Sequence, residues 1–257
     1  MVARCDVLAV AAHPDDAELG CGGTLARLAA AGRTVGMLDL AAGELATRGG
    51  AETRRAEAEV AARTLGVAWR HCLRFPDGGI SGEQNDQVAA LVGALRSAMP
   101  RALLLPHGDD PHPDHGAAHA LVRRAVVLGS LARWRPDLGA PHRPRLLLAY
   151  PGPRQLWRPD LVIDVSSCYG AKRAALAAHA SQFDPGGGAP THLASGHFLA
   201  AVEGRDRASG NTAGYEFGEG FIALGPLPAD EVAWVVGGSG SHPGARLPDR
   251  GPGGRAR

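Results

Sequence analysis

Apolar residues along this chain come in two rhythms. Short, nearly continuous apolar runs at Cys5–Ala12 (CDVLAVAA), Thr34–Leu40, Val67–Leu73 and Arg101–Leu105 have the length and density of buried parallel strands. Between them lie longer segments with helical spacing. Glu18–Ala31 stops at Gly32, Glu52–Leu65 stops at Gly66, and Asp86–Met99 and a segment from about His115 to Leu128 complete the set. Their connections (Ala42–Gly50, Phe75–Glu83, His107–Asp114) are rich in Gly, Pro and Asp, the composition of loops. Two more strands are expected at Arg145–Tyr150 and Leu161–Val165, and a helix at Tyr169–Ala180. Strand alternating with helix predicts an α/β fold, a Rossmann-like three-layer sandwich around a mainly parallel sheet. Beyond Gln182 the pattern is less regular. With no internal repeat and no clean linker, residues 1–236 are expected to form a single domain. In 237–257 glycine and proline dominate, so a disordered tail is expected there.

Composition narrows the function. The 257 residues carry a formal net charge of +1, far from the basic footprint of a nucleic-acid binder. No stretch approaches the roughly 20 apolar residues of a membrane span. The opening apolar run leads into two carboxylates, as a strand does and a signal peptide does not. The four cysteines (Cys5, Cys21, Cys72, Cys168) are scattered without CxxC spacing, so they are expected to be reduced thiols of a cytoplasmic protein. Lys172 is the single lysine among 27 basic residues, a bias that fits a GC-rich genome. The 11 histidines are the residues to follow.

Two clusters follow predicted strands. The first is His13-Pro14-Asp15-Asp16. The second is His107, Asp109, Asp110, His112, Asp114, His115, then His119. Ligands of open α/β sheets bind beyond the carboxyl ends of strands, and strands of one parallel sheet open on the same edge. A His and an Asp from the first cluster with a His from the second make three protein ligands and leave a position for water, the layout of catalytic zinc. Taken alone, Asp15 or Asp16 could equally be a helix cap.

The segments AHPDDAELGCGGTLA, GELATRGGAETRRAEAE, FPDG, HPDHGAAH and AHASQF resemble, in order and spacing, the LmbE-like (PIG-L) N-acetylglucosaminyl deacetylases, and look most similar to the bacillithiol-biosynthesis branch. The resemblance implies one Zn2+ and removal of an N-acetyl group from a glucosamine derivative, N-acetylglucosaminyl malate being the substrate of that branch. It also implies a small-molecule partner and a homo-oligomer, with neither nucleic acid nor membrane. By the same resemblance His13, Asp16 and His115 are the metal ligands. Asp15 is the general base, His112 stabilises the oxyanion and assists amine protonation, and Asp114 orients His112. Glu44, Arg48 and Arg54 are substrate-binding residues, the arginines suited to malate carboxylates. Pro111 stands where relatives often have arginine. An amidase or deacetylase of another small N-acylated glycoside or thiol conjugate, and a non-catalytic sugar-binding Rossmann-like domain, are the alternatives.

The remaining features have plainer expectations. Gly20-Cys21-Gly22-Gly23 lacks the order of a phosphate-binding loop and is expected to let a helix pack closely, with Cys21 a buried apolar residue. His119 is expected to pack or to support the site. His179, beside the SQF segment, is open between a substrate-side and a structural role. Arg205, Asp206 and Arg207 resemble a late arginine segment of the family or a charged helix end. His71, His142 and His242 and the isolated tryptophans carry no site.

Overall fold

A computed structural model of the protein describes residues 2–153, 155 and 157–237. Apart from Gly237, the expected tail lies outside these residues. Seven strands form one sheet: β1 (Val7–Ala11), β2 (Val35–Ala41), β3 (Trp69–Phe75), β4 (Ala102–Pro106), β5 (Leu146–Tyr150), β6 (Leu161–Asp164) and β7 (Gly218–Ala223). Their spatial order is β3-β2-β1-β4-β5-β7-β6. The first five are parallel, and β7 runs antiparallel between β5 and β6. The helices are α1 (Asp16–Ala30), α2 (Ala51–Thr64), α3 (Asn85–Ala98), α4 (Pro113–Gly129), α5 (Tyr169–Ala178), α6 (Ala180–Phe183), α7 (Phe198–Thr212) and α8 (Ala229–Val236). This is the three-layer α/β sandwich the alternation predicts.

Both faces of the central strands are covered, which is why their sequences are apolar throughout. Val7, Ala9 and Ala11 of β1 join the core beneath α1 and α5. Leu8 and Val10 join the opposite core with α3 and α4. The chain moves outward from β1 to β2 and β3, then returns to place β4 on the other side of β1. The loops after β1 and β4 therefore diverge at a topological switch point, where such sheets form a crevice.

The last third holds elements that the apolar pattern did not reveal. Strand β7 reads Gly-Glu-Gly-Phe-Ile-Ala, and its two glycines and buried carboxylate disguise a strand. Glycine is required there: a Cβ at Gly218 would meet the Gly210 backbone of α7 at 2.7 Å. Helix α7 escaped for a related reason, since its charged residues Glu203, Arg205, Asp206 and Arg207 and its glycines dilute the apolar spacing.

Helix α1 is broken at Cys21 (φ −146°, ψ 18°). The break frees the N–H groups of Gly23 and Thr24, which donate to the two carboxylate oxygens of Glu219 at 2.9 and 2.7 Å. Glu219 thus caps the second half of the helix from strand β7. Lys172, fully buried, donates to Glu219 at 2.6 Å and to Asp206 at 2.7 Å. The single lysine of the chain is therefore a buried counter-ion joining α5, α7 and β7, where burial of the two carboxylates requires a partner. The glycines of α1 serve close packing, as expected. A Cβ at Gly20 would overlap the Tyr150 ring, and one at Gly23 would sit 2.8 Å from Val165. Cys21 is fully buried.

In an unobstructed helix Gly→Ala stabilises by about 1 kcal/mol. Gly20→Ala is expected to do the reverse, costing about 1–3 kcal/mol through overpacking against Tyr150. Thermal unfolding reads the sign, and a raised Tm would contradict the packing described.

Candidate active site

The loop after β1 carries His13 to Asp16 directly into α1. Asp15, the residue before the helix, has φ 107° and ψ −27°, a strained left-handed backbone that Asp tolerates better than most residues. Its side chain caps no N–H of α1, and Asp16 accepts the backbone N–H of His13 at 2.8 Å. Neither carboxylate is used as an ordinary helix cap. The loop after β4 brings in the second cluster: His112 precedes α4, Pro113 starts it, and Asp114 and His115 lie in its first turn.

The two clusters meet. Asp16 lies between the imidazoles, its Oδ1 3.1 Å from His115 Nε2 and its Oδ2 3.5 Å from His13 Nδ1. The far nitrogen of each ring is held by other carboxylates. His13 Nε2 reaches Asp77 at 3.0 Å and Asp114 at 3.1 Å, and His115 Nδ1 reaches Asp110 at 3.1 Å. Outer carboxylates that orient imidazoles in this way are the usual support of metal-ligating histidines. One nitrogen each of His13, His112 and His115 also lie within 4.8 Å of one another, as do donor atoms of His13, Asp77 and Asp114. The His/Asp set fits a divalent metal by the chemistry of its donors.

Electrostatics point the same way. Burial disfavours a charged His13, but hydrogen bonds to Asp114 and Asp16 and the charges of Asp16 and Asp77 outweigh it, raising its pKa to about 11. His115 is likewise raised to about 10, burial being overcome by Asp16 and Asp110. Burial alone would raise Asp16, yet the two histidines hold it well below the usual carboxylate range. Asp15 is raised to about 6 by burial, against the lowering charge of Arg54. His112 is lowered by partial burial and by the charges of His115 and His13.

A cavity of about 670 Å³ opens over these groups, lined by Asp15, Asp16, Asp77, Asp110 and Asp114 together with Arg48 and Arg54. Three residues sit differently from the expectation. The Asp114 carboxylate is turned to His13 and to the Gly78 N–H at 2.8 Å; its backbone N–H, not its side chain, meets His112 Nδ1 at 3.3 Å. Arg54 donates through Nη1 and Nη2 to Gly43 O, Pro14 O and Asp15 Oδ2, so its charge is already met by Asp15 although its Nε is buried without a partner. Glu44 is exposed, does not line the cavity, and accepts the Asp77 N–H at 2.8 Å. Asp77 and Asp110 were not among the expected site residues. The FPDG segment and the first aspartates of the second cluster were the available signals, but loop carboxylates do not declare which imidazole they will face.

Other residues resolve into structure. His179 is fully buried and shares a hydrogen bond with Glu18 at 2.9 Å. His119 bonds the Pro106 carbonyl at 2.9 Å. Gln182 donates to the Arg48 carbonyl at 2.6 Å, and Ser181 holds Glu57. Arg205 pairs with Asp206 and donates to the Leu19 and Gly152 carbonyls. His142 bonds the Pro100 carbonyl, while His242 lies outside the described residues. The cysteines within the described residues are free thiols. No helix among the described residues is long and apolar enough to cross a membrane.

Comparison with known proteins places this arrangement. The GlcNAc-PI de-N-acetylase (PIG-L) family model matches residues 8–126. A 1D-myo-inositol 2-acetamido-2-deoxy-alpha-D-glucopyranoside deacetylase 2 of Saccharopolyspora erythraea is 37% identical, over 44% of this chain and 53% of that protein. The chain thus spans about half the length of that relative. The diacetylchitobiose deacetylase of Thermococcus kodakarensis is 32% identical over 69% of this chain and 70% of that one. The crystal structure of a conserved protein from Thermus thermophilus superposes with a TM-score of 0.79 at 37% identity, over 87% of this chain and 96% of that one. The chain belongs to the PIG-L family.

With pKa values near 11 and 10, His13 and His115 both carry a proton at pH 7 when no metal is bound. Metal uptake must displace those protons, so affinity is expected to rise with pH, with roughly two protons released per metal. Calorimetry in buffers of different ionisation enthalpy measures the number; a binding heat independent of buffer would refute it.

Proposed function

We propose that this protein is a Zn2+-dependent hydrolase that removes the N-acetyl group from a glucosamine derivative. The observation that carries the reading is the placement of a carboxylate raised to about 6, Asp15, beside a His/Asp set suited to metal within one cavity. His13, Asp16 and His115 would hold the ion. When bound, zinc supplies Lewis acidity, lowering the pKa of a water from 15.7 toward roughly 7 and polarising the acetyl carbonyl.

The chain's own residues do the rest. Asp15 is ionised at neutral pH and takes the proton of the attacking water. Because its pKa lies only about one unit below neutral, it can also return that proton to the departing amine. Arg54, at 3.1 Å, fixes its carboxylate and keeps its pKa from climbing further. His112 is neutral at pH 7, since its pKa is lowered. With the Asp114 N–H on Nδ1, its own proton sits on Nε2, where it can donate to the acetyl oxygen as charge develops.

The GELATRG, FPDG and SQF segments favour N-acetylglucosaminyl malate as the substrate. The named relatives act, by name, on an inositol glycoside and on diacetylchitobiose, so acetate release should be compared across all three. The homo-oligomer is part of the same proposal, and sedimentation measures it.

Asp15→Asn is expected to retain metal while losing about 10²–10⁴ in kcat; an active Asp15→Asn enzyme would sink the mechanism. Activity should fall as pH drops through the Asp15 pKa near 6. Arg54→Met removes the charge that lowers that pKa, so the acid limb should move to higher pH. A limb unmoved or shifted downward in the pH–rate profile would contradict the pairing.

A further inference from the structure

The segment after β5 reads Pro151-Gly152-Pro153, and it packs against two of the residues suited to hold metal. A cavity of about 10 Å³ is enclosed by Asp16, Asp110 and His115 together with Tyr150, Gly152 and Pro153, about the room one water needs. Gly152 is buried, and its backbone lies outside the left-handed region, so its conformation does not call for glycine. What excludes a side chain is space. The Asp110 carboxylate turns one oxygen, Oδ1, to the His112 N–H at 2.8 Å and to His115 Nδ1 at 3.1 Å. Its other oxygen, Oδ2, lies against Gly152, where a Cβ would overlap it. A side chain at position 152 must displace Asp110, and with it the group that orients His115.

The same segment is held by Arg205 of α7. Its Nη1 donates to the Gly152 carbonyl at 3.1 Å, and its Nη2 donates to the Leu19 carbonyl of α1. Nε and Nη2 also donate to Asp206 Oδ1, at 3.0 and 2.9 Å. Asp206 accepts in turn from Lys172 and Tyr169. The planar guanidinium fork fixes direction as well as distance. One side chain therefore spans the helix that begins with Asp16 and the segment that seats Asp110 on His115. Arg207, two residues on, is exposed and pairs instead with Glu203 and Glu216.

We propose that Gly152 and Arg205 are positioning residues of the metal centre. Gly152 leaves the Asp110 carboxylate the space from which it holds His115, and Arg205 fixes that segment to the helix carrying Asp16. This rests on the reading of Asp16 and His115 as metal ligands and adds what sets their geometry.

The test measures Co2+ and Zn2+ affinity by competition with a chelator, together with the visible absorption of the Co2+-loaded protein. Gly152→Ala is expected to weaken metal binding about 10–100-fold, the usual effect of losing an outer carboxylate, and to alter the Co2+ spectrum. Asp110→Ala should do the same. In the double variant the Cβ has room, so Gly152→Ala should add nothing to Asp110→Ala. Arg205→Met should weaken binding roughly tenfold and Arg205→Lys recover part of it, while Arg207→Met leaves affinity and spectrum unchanged. A Gly152→Ala protein with wild-type affinity and spectrum overturns the proposal, as do losses that multiply in the double variant. Should Gly152→Ala not fold, the double variant should, and its failure also overturns the assignment. An Arg205→Met protein with a lowered Tm and unchanged metal binding removes Arg205, since that is what a merely structural role predicts. If the wild type binds neither ion, or His115→Ala binds as tightly, the ligand reading fails separately. The His115 ring then decides the positioning by itself in the metal-free protein. Its 15N–1H signals should shift in Gly152→Ala and in Arg205→Met, and unchanged signals refute the proposal.

Discussion

The Asp16 carboxylate, buried between two imidazoles, organises everything around it. It sits on the first turn of α1, accepts the backbone N–H of His13, and faces His115 in the first turn of α4. The two rings would repel one another if protonated with nothing between them. With Asp16 in place each ring presents one nitrogen to the same carboxylate, and its other nitrogen is left for Asp77, Asp114 or Asp110. That convergence depends on β1 and β4 being adjacent and parallel, so that both loops leave the sheet on the same edge.

Asp15 and Asp16 lie at the start of α1, and buried charged contacts from β3, β7, α7 and the α5 region hold that helix in place. Glu18, in the first turn, is clamped by Arg70 at 2.6 Å and His179 at 2.9 Å. These partners outweigh its burial and hold its pKa down to about 2. Arg205 reaches the Leu19 carbonyl, and Glu219 with Lys172 closes the break at Cys21. Removing one member of such a buried pair leaves an uncompensated charge, which typically costs about 3–5 kcal/mol. Strain of about 1–3 kcal/mol at the Asp15 backbone is sustained because these contacts over-determine the helix start. The SQF segment belongs to this support: its residues brace Arg48 and Glu57 while the neighbouring His179 braces Glu18.

Several residues serve the site through a neighbour. Asp114 stands close to His112 in the motif, yet a helix turn carries its carboxylate toward His13 and leaves the backbone N–H for His112. Arg54 points inward because its helix, α2, packs beside Pro14 and Gly43. Glu44 lies on the outer side of its loop and holds the backbone of Asp77, which in turn touches His13. Most charged groups around the substrate cavity are therefore already paired.

What the chain determined by itself was the alternation of strands and helices through Tyr150 and the identity of the two His/Asp clusters, because apolar rhythm and loop chemistry are local. Strand β7 and helix α7 were not legible: glycines chosen for close backbone approach and a carboxylate chosen as a distant helix cap look like loop residues until their partners are in view. The roles of Asp77, Asp110 and Arg54 were likewise decided only by the tertiary structure. Whether a charged side chain binds a ligand or supports a neighbour depends on which opposite charge the fold brings within reach, and those partners lie far away in sequence.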